Sequence, residues 1–214
     1  MAMTGFDAAP ASLDGFDDGS DAAIRQRITD LEAEIDRLKQ SLEENRKARQ
    51  VLVLTGGALR DEVVRILASG LRVPTRASDQ SKEGFWLAAE ALNEDWAYGE
   101  VREVPAGNVT REQLARVMLN RAETGRGDDF PALLVVNTFC DKERAEERDQ
   151  PVPSDVVRRA VEDRILVIRT LDLVRLLQKD QSGFAGVVEF QDAIRNSGGW
   201  FEVNSALAGM LRTE

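Results

Sequence analysis

Few residues in this 214-residue chain can do chemistry, and their types set narrow limits. It contains no histidine. That removes Ser-His-Asp and Cys-His nucleophile systems, histidine general bases and every histidine-ligated metal site. Any metal must be held by oxygen ligands, which favours Mg²⁺, Mn²⁺ or Ca²⁺. The single cysteine, Cys140, follows a run of strand-like residues. It reads as a small apolar filler, not as a nucleophile without a partner base. One thiol allows no intrachain disulfide, which suits a reducing cytoplasm. Carboxylates and arginines remain. Glu100 and Arg102 lie in Gly99-Glu100-Val101-Arg102. They are two apart on a strand-like stretch, so their side chains point to one face. Glu83 stands beside Gly84 at the start of an earlier strand. Asp79 lies in the loop before it, and Asp61 and Glu62 sit on a helix.

The elements that position these groups follow from apolar spacing and turn residues. Thr55-Gly56-Gly57 breaks one helix, and Leu59, Val63, Ile66 and Leu67 place the next over about 58–69, with Gly70 as its cap. Strands are expected at about 71–76, 84–89 and 96–104, with Asn93-Glu94-Asp95 as a turn. Thr110 caps a helix bearing Leu114, Val117 and Met118. Residues 132–138 form a continuous apolar run, the mark of a central buried strand. Asp141–Gln150 is a charged loop or helical turn. Beyond it come a helix opened by Pro153, a short strand at 165–169, helices at about 171–178 (capped by Thr170) and 185–196, and a final strand near 200–203. The result is an α/β protein whose core runs helix, three strands, helix, strand, with helical additions after it.

The N-terminal part reads differently. Residues 1–20 are rich in Ala, Gly, Asp and Ser and contain no basic residue, the composition of a disordered acidic tail. From Asp21 the pattern becomes a heptad. Ile28, Ile35 and Leu42 occupy position a, and Ile24, Leu31 and Leu38 position d. Ile at a with Leu at d favours a parallel two-stranded coil. Across such a seam Arg27 faces Glu32 of the other chain, and Glu34 faces Lys39. The stripe is narrower than that of a helix lying on its own core. The expectation is therefore a self-associating helix over 21–54, followed by a domain over 55–214.

Composition bounds the partners. The chain carries 28 basic and 38 acidic residues, a formal charge of −10. Phosphate contacts supply most nucleic-acid affinity, so this balance disfavours autonomous DNA binding and points to a protein partner. No basic, apolar leader opens the chain, and no apolar run approaches a membrane span, so a cytoplasmic protein without a membrane role is expected.

The element order resembles the restriction-endonuclease-like (PD-(D/E)xK) nucleases, nearest to their Mrr-like bacterial branch, from about Leu54 to Val203. Leu54-Thr55-Gly56 is similar to the family's entry segment, and Gly99-Glu100-Val101-Arg102 to its Glu-Val-Lys signature. Asn108 to Leu114, Leu133 to Asn137, Pro153 to Ala160 and Arg169 to Leu173 are similar to the segments that follow. The resemblance implies that Glu100 occupies a Mg²⁺-binding position and Arg102 that of a catalytic lysine. Arginine stays protonated and cannot serve as a base. The expected Asp of the second strand is Gly84 here. Glu83, Asp79, Asp61 or Glu62 would have to replace it, and strand alternation points Glu83 to the opposite face.

Two altered signature positions favour a retained fold with a dead site. The function this implies is a self-associating, non-catalytic interaction or scaffold protein, with bacterial phage defence or conflict as its setting and no cofactor. The alternative is a divergent Mg²⁺-dependent DNA endonuclease using Glu100 and Arg102 with metal at Glu100, Glu83 and Asp79. Its DNA surface would be built from Arg102, Arg111, Arg116 and Arg121. A third reading is a regulatory subunit that binds a nucleotide at the old site.

Overall fold

The computed structural model describes residues 20–89, 94–180, 186–203 and 210–213. The expected acidic tail lies outside the described residues, apart from Ser20. The chain divides into two compact units, Met1–Asn45 and Arg46–Glu214.

The first unit consists, in its described part, of helix α1 (Ser20–Arg49) up to Asn45. The six heptad residues form a row that is 41% to 70% exposed. Outside that row the helix satisfies itself through Gln26–Asp30 (2.9 Å), Lys39–Asp36 (3.4 Å) and Gln40–Glu44 (2.9 Å).

The second unit begins with the last turn of α1. The helix stops at Arg49, short of the expected residue 54, and tightens into a 3₁₀ turn over Gln50–Leu52. Ala48 and Val51 belong to the domain core, and that burial takes the chain off the helical line. Arg148 fixes the exit. Its guanidinium donates to the carbonyls of Leu52 (2.6 Å), Lys142 (2.7 Å) and Cys140 (3.1 Å).

Then come α2 (Gly56–Arg65, extended by a π-helical turn over Ile66–Gly70), β1 (Thr75–Ala77), β2 (Gly84–Ala88), β3 (Asp95–Val104), α3 (Arg111–Glu123) and β4 (Ala132–Thr138). After them lie α4 (Ala145–Arg148), α5 (Ser154–Glu162), β5 (Ile165–Arg169), α6 (Thr170–Asp180), α7 (Gly186–Asn196), β6 (Gly199–Glu202) and β7 (Met210–Arg212). The seven strands form one mixed sheet in sequential order. β2 runs antiparallel to β1 and β3, while β3, β4, β5 and β6 are parallel and β7 returns antiparallel. Every residue of β4 is buried, as its unbroken apolar run requires of a strand paired on both sides.

Two apolar clusters cover the two faces. One joins α2, α6 and α7 to Phe85, Val101, Val135 and Ile168. The other joins α3 and α5 to Tyr98, Leu134, Val136 and Val167. Four further expectations change, one being that β7 (Met210–Arg212) follows the strand expected to be last, near 200–203. The first strand shrinks to three residues, because Leu71 and Val73 enter the core and Arg72 takes φ 54°. Gly70 does not cap by a left-handed turn. It lies close to α6, where a Cβ would come within 2.7 Å of a Leu177 methyl and that methyl would have to move. Thr170 is the first residue of α6 and not the residue before it, and its hydroxyl donates to Asn137 Oδ1 (2.9 Å).

A buried ion pair anchors the C-terminal elements. Arg169 donates to both oxygens of Asp172 (2.6 and 2.9 Å) and to the Gln150 carbonyl (2.6 Å), and it stacks 4.9 Å over the Trp200 ring. Asp172 also accepts from Trp200 Nε1 (3.3 Å) and Val203 N (3.2 Å). Removing Asp172 leaves the buried guanidinium only the half-exposed Asp149, 3.0 Å away, as a countercharge. Asp172→Ala is expected to cost about 3–5 kcal/mol in urea denaturation. A loss below about 1 kcal/mol would show that the pair does not hold this corner.

Candidate functional site

The site follows from three alternating residues of β3. Tyr98, Glu100 and Arg102 all point to the α3 face, as strand periodicity dictates. Gly99 between them faces the other layer, where a Cβ would strike the Phe85 ring at 2.1 Å. β3 is held between β2 and β4, with Glu100 opposite Gly84 on one side and Leu134 on the other.

Glu100 is fully buried. Its Oε1 accepts from the Tyr98 hydroxyl (2.8 Å) and from Asn120 Nδ2 of α3. Its Oε2 accepts from Arg102 Nε (3.1 Å) and Nη2 (2.8 Å). Four donors match the roughly four lone-pair sites of a carboxylate. No acceptor site is left for a cation or for a proton in transfer. Arg102 supplies the positive charge that a buried carboxylate needs.

Glu83 joins the same cluster, because Arg102 Nη1 donates to its Oε2 (3.2 Å). The expectation that alternation would turn it away is corrected here. β2 starts only at Gly84, so Glu83 lies outside the strand's alternation, although its carbonyl accepts from Val101 N (2.9 Å). Asp79 is exposed in the loop and makes no hydrogen bond or ion pair among the described residues. Asp61 pairs with Arg60 (2.7 Å) and Glu62 with Arg65, so neither helix carboxylate reaches Glu100. No group of three metal-ligating side chains is found among the described residues.

At the position the resemblance reserves for Asp, a Cβ on Gly84 would lie 3.0 Å from the Tyr98 hydroxyl and 3.0 Å from the Ser81 Cβ. The phenol therefore crowds the space that a carboxylate at residue 84 would enter. The sequence reading missed Tyr98 and Asn120. For Tyr98 a signal existed, since it stands two residues before Glu100 on the same strand. For Asn120 there was none, because only the docking of α3 brings it there. The Thr110–Gln113 capping box fixes where α3 begins.

Beside these groups runs a polar cleft of about 370 Å³ lined by Ser78, Gln80, Glu83, Tyr98, Arg102 and Asn120. It adjoins a second of about 220 Å³ reaching Gly56 and Gln113, and Glu83, Arg102 and Arg116 line both. Of the four arginines named for a basic surface, Arg102 and Arg116 line the same clefts, and the other two do not join them there. Arg121 is buried and donates to the carbonyls of Phe130 (2.9 Å) and Asp163 (3.1 Å). Arg111 pairs with Asp155 (3.0 Å) and Arg116 with Glu112 (2.6 Å). Cys140 is half-buried, and burial together with the Glu103 charge pushes its thiol pKa up, away from nucleophilic use.

Burial, then the charge and hydrogen bond of Glu100, hold the Tyr98 pKa well above its ordinary value. The sign follows directly. A group raised in the folded state contributes stability below its unfolded pKa, about 10 for tyrosine, and that contribution is lost as pH rises past it. Tyr98 is the only tyrosine in the chain, so its ultraviolet difference spectrum reports it alone. The phenol is expected to stay neutral until the protein unfolds in alkali, and then to ionise together with unfolding. Ionisation near pH 10 in the folded protein would contradict its burial.

Among the described residues no helix is long and apolar enough to cross a membrane. Comparisons of the chain with protein-family models, with curated proteins and with solved structures find no match.

Proposed function

We propose that the protein is a non-catalytic, self-associating interaction protein built on a degenerate restriction-endonuclease-like domain. The observation that carries this reading is the state of Glu100. Every acceptor site of the one carboxylate at the signature position is taken by Tyr98, Asn120 and Arg102. Mg²⁺ in a nuclease needs converging, available carboxylate oxygens to displace its water. Here an internal guanidinium neutralises the carboxylate in place of a metal ion.

The fold reading has its own support. Helix α2, three strands, α3 and β4 follow in the expected order, with β2 antiparallel to both neighbours and β4 parallel to β3. By resemblance the setting is a bacterial cytoplasm, in a defence or conflict system, where the domain acts through a protein partner. The net charge of −10 and the burial of Arg121 argue against DNA as that partner.

The alternative, a divergent Mg²⁺-dependent endonuclease, is favoured by one observation. Glu83 and Glu100 flank the same guanidinium, so two carboxylates do approach each other. A nuclease assay on duplex DNA with Mg²⁺ and with Mn²⁺ decides between them, using wild type beside Glu100→Ala. No cleavage by either protein is expected. Cleavage by wild type that vanishes in Glu100→Ala would replace the non-catalytic reading with the nuclease.

A further inference from the structure

We infer that α1 is the interface of a parallel, in-register homodimer, and that its flanking charges exclude the antiparallel arrangement. The inference rests on the self-association proposed above and adds its orientation and stoichiometry. Ile24, Ile28, Leu31, Ile35, Leu38 and Leu42 form one exposed row on a continuous helix. The row ends there, because the next two seam positions hold Asn45 and Arg49. The apolar seam is thus about 28 Å long at 1.5 Å per residue.

The occupant of this row is identified by charge. Arg27, Glu32 and Glu34 flank the seam and have no hydrogen-bond or ion-pair partner among the described residues. Of the outer positions, Asp30 and Glu44 are paired with Gln26 and Gln40 within the helix. In a parallel dimer, position g meets e of the next heptad on the other chain. Arg27 then meets Glu32 of the second copy and Glu34 meets Lys39, each twice by symmetry. Lys39 reaches Asp36 at 3.4 Å within its own helix, both groups being well exposed, and such a contact is readily exchanged. Serines occupy the remaining g positions, so no like-charged pair arises.

An antiparallel dimer that overlays the same apolar row pairs g with g and e with e. It sets Glu34 against Glu34, Glu32 against Glu32, and Arg25 against Lys39 at both ends. Every fully charged contact is then repulsive. Ile at two a positions with Leu at two d positions selects two strands over three or four. A second copy of this chain is therefore the partner whose chemistry the row fits, with both domains issuing from one end of the coil.

The test uses the full-length chain carrying Cys140→Ser, with Ile24→Cys or Leu42→Cys added singly. In the parallel dimer each variant oxidises to a disulfide dimer with itself, and an equimolar mixture gives no mixed disulfide by peptide mass mapping. Mixed disulfides with little self-linkage would show the antiparallel form and overturn the inference, while leaving self-association and the non-catalytic reading intact. Light scattering of the unmodified chain is expected to give twice the monomer mass at micromolar concentration. A monomer, trimer or tetramer would overturn the inference. A charge reversal needs no cysteine and leaves the domain untouched. Glu32→Arg should weaken the dimer about tenfold, and adding Arg27→Glu should restore it. Failure of that rescue would also overturn the parallel register, because Arg27 and Glu32 meet only there.

Discussion

Glu100 lies on a central strand, out of reach of water, and a charge in that position must be met from inside the protein. Much of the α3 side of the sheet is arranged around that need. Arg102 reaches back two residues to neutralise it, and in doing so draws Glu83 in from the loop before β2. Tyr98 turns its hydroxyl onto the same carboxylate and packs its ring edge-on against Trp86 at 5.3 Å. Gly84, opposite in the ladder, leaves room for that hydroxyl. Helix α3 must then dock so that Asn120 closes the last acceptor site. Glu100 is thus a structural centre, and freeing it for chemistry would leave several buried donors unpaired.

The same logic governs the other buried arginines. Arg148 gathers three carbonyls where α1 hands the chain to the domain. Arg121 bridges the entries to β4 and β5 through the Phe130 and Asp163 carbonyls. Arg169 holds α6, β6 and the loop before α5 through Asp172, Trp200 and Gln150. Each satisfies backbone carbonyls or a carboxylate that would otherwise be buried at a cost.

The sequence by itself determined the elements whose signals are local. The apolar run of β4, the heptad of α1, the Thr110 capping box and the order of helices and strands are all written in spacing and turn residues. So was the shared face of Glu100 and Arg102, because alternation on a strand is a local rule. Tertiary packing decided the rest. It stopped α1 at Arg49 by pulling Val51 into the core, and it set Gly70 against the Leu177 methyl instead of in a left-handed cap. It buried Arg121, whose position on α3 resembled that of a surface charge. Above all it brought Asn120 to Glu100 across 20 residues and Glu83 to the shared Arg102 guanidinium. The burial and partners of a charged side chain depend on where distant segments dock, and sequence spacing carries no record of that.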